Sequence, residues 1–378
     1  MDELRHWLAL CAIPRCGFVT ISKLLTVFST PAALLAAPRE ALRRAGASDV
    51  LLRHLKEPNW GMVEACLAWR EQSGRDILHW RDPCYPPLLR EISSPPLILF
   101  VEGNASLLRQ HQLAMVGARR ATATGLETAY YFANELAKRG FVITSGLARG
   151  IDGASHKGSL CEREKTIAVL GSGLNKIYPI CHQHLARQIV EKGGALVSEF
   201  FPDSPPKAEH FPQRNRIISS LSLGVIVVEA TKRSGSLITA NYAAEQGRQV
   251  FAIPGSIHSP LSGGCHALLK QGATLVETVQ DILLEFSFLP SVVDDKKEHK
   301  STKTDGQDMQ HRLDPEDVKL VECLGFEVTT VDSLVMRTGL AMDRLLARLA
   351  LLELQGYVCV VPGGYIRGNK YAEASIDC

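Results

Sequence analysis

The segment HFPQRNRIISSLS, His210 to Ser222, joins a helix start to a cluster of cations in a way that could hold a polyanion. Pro212 suits the first position of a helix, where no amide proton is needed and its φ is already helical. Arg214 and Arg216 would then fall in the first turn, where the positive end of the backbone dipole opposes a cation by roughly a few tenths of a kcal/mol. A plain scaffold would place Asp or Glu there. Two arginines, Asn215 and the His210-Phe211 pair suit a phosphate held by amides and guanidinium groups, with a base stacked on Phe211. The same arginines could instead pair with carboxylates elsewhere in the fold, and this segment alone leaves both readings open.

Four further loops carry glycine and small polar residues: Gly117-Ala118-Arg119-Arg120, Ser145-Gly146-Leu147-Ala148-Arg149-Gly150, Gly171-Ser172-Gly173 and Ser234-Gly235-Ser236. Glycine lets backbone approach a ligand and serine offers small donors to phosphate oxygens, although such glycines also serve plain strand-to-helix packing. The first loop departs from G-x-G-x-x-G because two arginines stand where a dinucleotide's pyrophosphate needs bare backbone, and G-x-x-x-x-G-K-[ST] is absent. NAD or ATP use is therefore disfavoured, and no cofactor is expected. Arg119, Arg149, Arg214 and Arg216 are expected to converge from separate loops, with Lys207 and His210 beside them. Asp152 is read as the cap of the helix that follows it. Glu199 and Glu229 end strands and could serve acid/base chemistry or orient the arginines; no nucleophile with an evident base emerges. His182 and His184 beside Cys181 lack a second ligand pair, so exposed helix residues are expected rather than a metal site.

These loops must be set by the elements around them. Short apolar runs (LAMVG, FVITSG, TIAVLGSG, ALVSE, GVIVVEA, QVFAIPG, ATLV) alternate with helical segments from about Leu113 to Phe286, which predicts a doubly wound, Rossmann-like parallel sheet. Its loops at the carboxyl ends of the strands would share one face. Residues 1–80 read as short helices, including a helical hairpin of the SAM or helix-hairpin-helix kind around Pro14 and Gly17. A connector and the sheet domain fill 81–290, a polar linker 291–312, and a winged helix with a wing turn at Pro362-Gly363-Gly364 fills 313–378. The net charge of the 378 residues is +2, so any nucleic-acid binding must come from a local patch. Between Arg312 and Cys378, 7 Lys and Arg face 10 Asp and Glu, which speaks against duplex binding by the winged helix and for contact with protein or a neighbouring domain. The ten cysteines form no C-x-x-C pair, no secretory signal opens the chain and no run could span a bilayer. Reduced thiols in a cytoplasmic protein are expected.

The ordered motifs VGARRAT, TSGLARGIDGASH, IAVLGSGLNKIYP, SEFFP, FPQRNRIISSLS, VVEATKRSGSLITANYAAEQGR, VFAIPG and GCHALLKQGA resemble the DprA (Smf) family of bacterial DNA-processing proteins. The likeness implies an N-terminal helical module, an extended Rossmann domain and a C-terminal winged helix. It implies a non-enzymatic protein that binds single-stranded DNA, dimerises through the Rossmann domain, protects the strand and loads RecA during natural transformation, with single-strand-binding protein as a further partner. Carried over by position, the contacts implied are Arg119, Arg149, Phe211, Arg214 and Asn215, with Lys207 added. Leu268 and Leu269 are candidates for the dimer surface. SSLS at 219–222 and Cys265-His266 depart from the usual family residues. The alternative is a Rossmann-type nucleotide phosphoribohydrolase, whose P-G-G-x-G-T-x-x-E signature is replaced here by KRSGSLITANYAAE with only Glu245 retained.

Overall fold

The structure, a computed structural model, describes residues 2–14, 16–161, 165–288, 314–324, 328–361 and 363–367. It divides into two compact units, Met1–Lys296 and Lys297–Cys378. The linker expected over 291–312 and Pro362 of the wing turn lie outside the described residues.

The first unit opens with six helices, α1 (Asp2–Cys11), α2 (Phe18–Phe28), α3 (Pro31–Ala36), α4 (Arg39–Arg44), α5 (Asp49–Lys56) and α6 (Trp60–Arg70). Their starts follow the local chemistry: the side chains of Thr30, Ser48 and Asn59 accept hydrogen bonds from the amides of Ala33, Leu51 and Met62, and Pro31 opens α3. Trp7, Ile21, Leu24, Leu55 and Trp69 turn inward and share one core with Ile77, Ile98, Phe100 and Leu196 of the sheet.

The sheet elements follow in the order β1 (Arg75–His79), α7 (Pro87–Arg90), β2 (Ile98–Gly103), β3 (Gln112–Val116), α8 (Ala123–Lys138), β4 (Val142–Ser145), α9 (Ile151–Ser159), β5 (Thr166–Val169), α10 (Gln183–Glu191), β6 (Ala195–Ser198), α11 (His210–Leu221), β7 (Gly224–Val227), α12 (Gly235–Glu245), β8 (Gln249–Ala252), α13 (Gly263–Lys270), β9 (Thr274–Leu275) and α14 (Val279–Glu285). They form one sheet in the order β1-β2-β6-β5-β4-β3-β7-β8-β9. From β6 to β9 every pairing is parallel, as the apolar runs predict; β3 to β7 are buried on both faces by flanking helices, while β8 and β9 are partly exposed toward the sheet's end. Ile217, Ala240 and Leu268 cover one side, while Phe132, Leu136 and Ile282 cover another. The short apolar strand at the end of the connector is β2; β1 was not anticipated, and the two add an antiparallel edge beyond β6. The order around β3 makes a topological switch point: the chain steps from β3 through β4, β5 and β6, then α11 carries it back to β7 on the other side of β3.

The second unit contains α15 (Pro315–Cys323), α16 (Val331–Thr338), α17 (Met342–Leu354), β10 (Val358–Val361) and β11 (Gly364–Arg367), with Thr329 bridged to Tyr365. Leu320, Leu334, Leu345, Leu349 and Val358 give it a core of its own. This is a winged helix. No helix among the described residues is long and apolar enough to cross a membrane. The described cysteines are free thiols, and burial pushes those of Cys66 and Cys265 up to about 12 and about 11.

Candidate nucleic-acid interface

The crevice at the switch point holds a cavity of about 550 Å³ whose walls come from the loops after β3 and β7 and from the first turns of α11 and α12. Gly117, Arg119 and Arg120 form one wall, Ser234, Gly235 and Ser236 another, and Asp152, Phe211, Arg214 and Asn215 line it between them. Ala123 opens α8 just beyond the arginines, and Glu229 at the end of β7 fixes that start: its carboxylate accepts from the Thr122 amide at 3.0 Å and the Thr122 hydroxyl at 2.6 Å. Glu229 therefore acts as an anchor for the loop that carries Arg119 and Arg120. Gly117 and Gly150 allow neighbouring loops to close on each other, since a Cβ at Gly150 would lie 2.1 Å from the Ala118 carbonyl oxygen. That contact sets Arg149 beside the Arg119 loop, and both side chains are exposed.

The aromatic component is paired. The Arg119 guanidinium stands 5.8 Å from the Phe211 ring centroid, and Tyr178, which is exposed, lies 5.5 Å from Phe211 on a tilted plane. Two rings and a cation beside this cavity form a surface on which bases can stack without being read by edge. Tyr178 was missed in the sequence, where the IYP motif was its signal.

Arg214 and Arg216 depart from the expected free cationic rim. Pro212 is the third residue of α11, still within the turn whose amides lack intrahelical partners, so both arginines sit deeper in the helix than the sequence suggested. Arg214 is 4% exposed; its Nη1 donates to the carbonyls of Gly146, at 2.8 Å, and Val169, while Nε donates to Asn215 at 3.3 Å. Burial lowers its pKa to about 10, against the opposing influence of Asp152. Arg216 donates to the carboxylate of Glu199 and, at 2.6 Å, to the Ser94 carbonyl, away from the cavity. Both guanidinium groups hold the loops together. Asp152 is corrected as well: it accepts from the amides of Gly146 at 3.0 Å and Ala148 at 3.3 Å instead of capping α9, and burial raises its pKa while Arg214 pulls the other way.

Most of the expected phosphate loops are likewise committed. Ser145 donates to the Met115 carbonyl at 2.6 Å and Ser172 to that of Lys176 at 2.7 Å. Gly146 leaves room for the Arg214 guanidinium, Gly171 for the Phe211 ring and Gly173 for the backbone of Phe201 and Pro202. Ser234, Gly235 and Ser236 line the cavity, with open space above Gly235, while the Ser234 hydroxyl bonds the Ser236 hydroxyl at 2.6 Å and accepts from its amide at 3.3 Å. Lys207 is exposed and precedes α11; His210 stacks on Phe200 at 3.9 Å with an interplanar angle of 16°. His182 donates from Nδ1 to the Leu147 carbonyl at 2.9 Å. Leu147 itself has φ 58, a left-handed value costing about 1–2 kcal/mol for a residue with a side chain, and its side chain is anchored in the core shared with the N-terminal helices. Leu268 is 5% exposed within the sheet core and so offers no dimer surface, while Leu269 is half-buried against that core.

A family model described as DNA recombination-mediator protein A matches residues 76–287, and one for the DprA winged helix domain matches 307–364. The chain is 47% identical over 305 residues to Protein Smf of Escherichia coli, covering 81% of this chain and 80% of that protein. It is 47% identical over 207 residues to DNA processing protein DprA of Streptococcus pneumoniae, covering 55% and 73%. The solved structure of Streptococcus pneumoniae DprA covers 75% of this chain and 96% of its own, with a TM-score of 0.62 and 37% identity. A Helicobacter pylori DNA processing protein A structure, described for its single-stranded DNA binding mode, covers 57% and 96% with a TM-score of 0.51 and 29% identity. With both family models matched and Protein Smf 47% identical over most of both chains, the chain belongs to the DprA (Smf) family of DNA recombination-mediator proteins.

Proposed function

We propose that this protein binds single-stranded DNA with little sequence preference and acts as a non-enzymatic recombination mediator of natural transformation. It protects the incoming strand in the cytoplasm and delivers it to RecA, with single-strand-binding protein as the competing occupant of the strand. The observation that carries this reading is the stacking surface of Phe211 and Tyr178 beside exposed Arg119, at the mouth of the cavity closed by Ser234-Gly235-Ser236. A phosphate would sit against the amides at the start of α12 and the arginine loop, while bases rest on the rings. Arg149 and Lys207 extend the positive path; Arg214 and Asn215 brace the cavity wall. A homodimer through the Rossmann domain doubles the contacts to one strand. Its surface is assigned to the β9 edge, where Leu275, Leu284 and Phe288 are exposed.

The phosphoribohydrolase alternative gains nothing from the geometry. Glu245 lines a different cavity, of about 260 Å³, with Arg216 and Arg248, and the carboxylate lining the main cavity, Asp152, is spent on loop amides.

Fluorescence anisotropy with a labelled oligo-dT across a salt series tests the proposal. Arg119→Ala is expected to weaken binding about tenfold and to flatten the log–log salt slope by about 0.7, the value for one phosphate contact on a single strand. Phe211→Ala should cost about 1–3 kcal/mol. Preference for a specific duplex, or wild-type binding by Arg119→Ala, overturns the reading.

A further inference from the structure

We infer that the N-terminal helices carry a second binding site, for an acidic peptide segment with a bulky apolar side chain. Helices α3, α4 and α5 enclose a cavity of about 330 Å³ on the first unit, separate from the crevice at the switch point. Its floor is aliphatic, formed by Leu35, Leu42, Leu52 and Leu55, and its rim carries Arg39, Arg53 and Lys56.

The charge at the rim is not cancelled locally. Between residues 35 and 57 the sequence has five lysines and arginines against three carboxylates, Glu40, Asp49 and Glu57. Arg43 engages the first two, reaching Asp49 at 2.8 Å and Glu40 at 3.9 Å. Arg39 keeps only a 3.7 Å contact to Asp49, with both groups largely exposed. Arg53 and Lys56, both exposed, make no ion pair among the described residues. The last turn of α5 thus concentrates Arg53, His54 and Lys56 beside an apolar hollow.

The composition of the lining selects the occupant. A nucleic-acid strand seeks cations and flat aromatic faces, and this lining has no aromatic residue. Carboxylates spaced around a leucine- or phenylalanine-sized side chain satisfy both the rim and the floor. The site is independent of the strand-binding crevice, so a protein partner could be held while DNA is bound.

The test uses the full chain and a fluorescein-labelled peptide of six aspartates flanking a Leu-Phe pair, followed by anisotropy. Wild type is expected to bind it. Arg53→Glu with Lys56→Glu should weaken binding about tenfold, replacement of Leu-Phe by Ser-Ser in the peptide should abolish it, and Arg119→Ala should leave it unchanged. Oligo-dT affinity of the double variant should match wild type, and an unchanged melting temperature shows that it folds. Equal binding by the double variant, indifference to the Leu-Phe pair, or absence of binding by wild type overturns the proposal. A parallel loss of oligo-dT affinity in the double variant also overturns it, by making this a nucleic-acid surface, whereas loss of peptide binding in Arg119→Ala would place the peptide in the strand crevice.

Discussion

His156 is fully buried on α9, with Nδ1 2.8 Å from the Thr166 hydroxyl, which itself donates to the Ile143 carbonyl at 2.5 Å. Nδ1 must then carry the proton, leaving Nε2 bare and without a partner among the described residues. Burial, followed by the nearby His182 and Arg214, lowers its pKa to about 3 from 6.5. Between these values the unfolded chain binds a proton that the folded one refuses, so stability is lost as pH falls below about 6.5. Burial raises the carboxyls of Asp152 and Glu199, which act in the opposite direction at acid pH, so a difference measurement is needed. Urea unfolding of wild type and His156→Gln is expected to show the wild type losing about 2 kcal/mol more between pH 7 and pH 5. Equal losses would mean that the imidazole is protonated inside the fold. The residue scale is also where sequence was least legible. Arg214 and Arg216 look like free cations in FPQRNR, yet their acceptors, Gly146, Val169, Ser94 and Glu199, come from positions whose proximity only the fold creates.

At the scale of elements, the parallel strands were readable because burial on both faces forces unbroken apolar runs. β1 was not, since RDILH opens on two charged residues at the sheet's edge and precedes a proline-rich connector. The winged helix was readable by order, and its electrostatics follow from its sequence. α17 occupies the position of a recognition helix, but Arg344 reaches Glu316 at 3.0 Å and Arg348 reaches Glu316 at 2.7 Å, Asp317 and, at 3.3 Å, Asp314. Acidic α15 thus already holds both cations of α17. α17 also exposes Met342, Leu346, Leu351 and Leu354 beside Asp343 and Glu353. Because this unit has its own core, residues 297–378 can be prepared alone, and a gel shift with random duplex is expected to show no complex below roughly 100 μM protein at physiological salt. A complex at micromolar protein, lost at high salt, would restore a DNA-binding role to α17.

At the scale of the molecule, the N-terminal helices are built into the sheet domain rather than hung from it. Trp69 crosses the Phe100 ring edge-on at 5.7 Å and donates from Nε1 to Asn175 at 3.1 Å; Trp7 stacks on His79 at 5.5 Å; Phe18 meets Trp80 at 4.9 Å. The same core anchors Leu147, in the loop that carries Arg149, so loosening these helices would release a left-handed loop residue beside the strand crevice. All four tryptophans, at positions 7, 60, 69 and 80, lie in the first 80 residues, which makes tryptophan emission a reporter of the N-terminal helices and of their seam with the sheet, where Trp69 and Trp80 pack. If helices and sheet unfold as one unit, the emission transition in urea coincides with the main far-ultraviolet circular dichroism transition, and only the winged helix melts apart. Separate midpoints would show an autonomous helical module. Deleting residues 1–70 sharpens the distinction, since it strips cover from Ile98, Phe100 and Leu196, each 3% exposed or less. The truncated chain is therefore expected to aggregate or to lose oligo-dT affinity even though every residue assigned to the strand is still present.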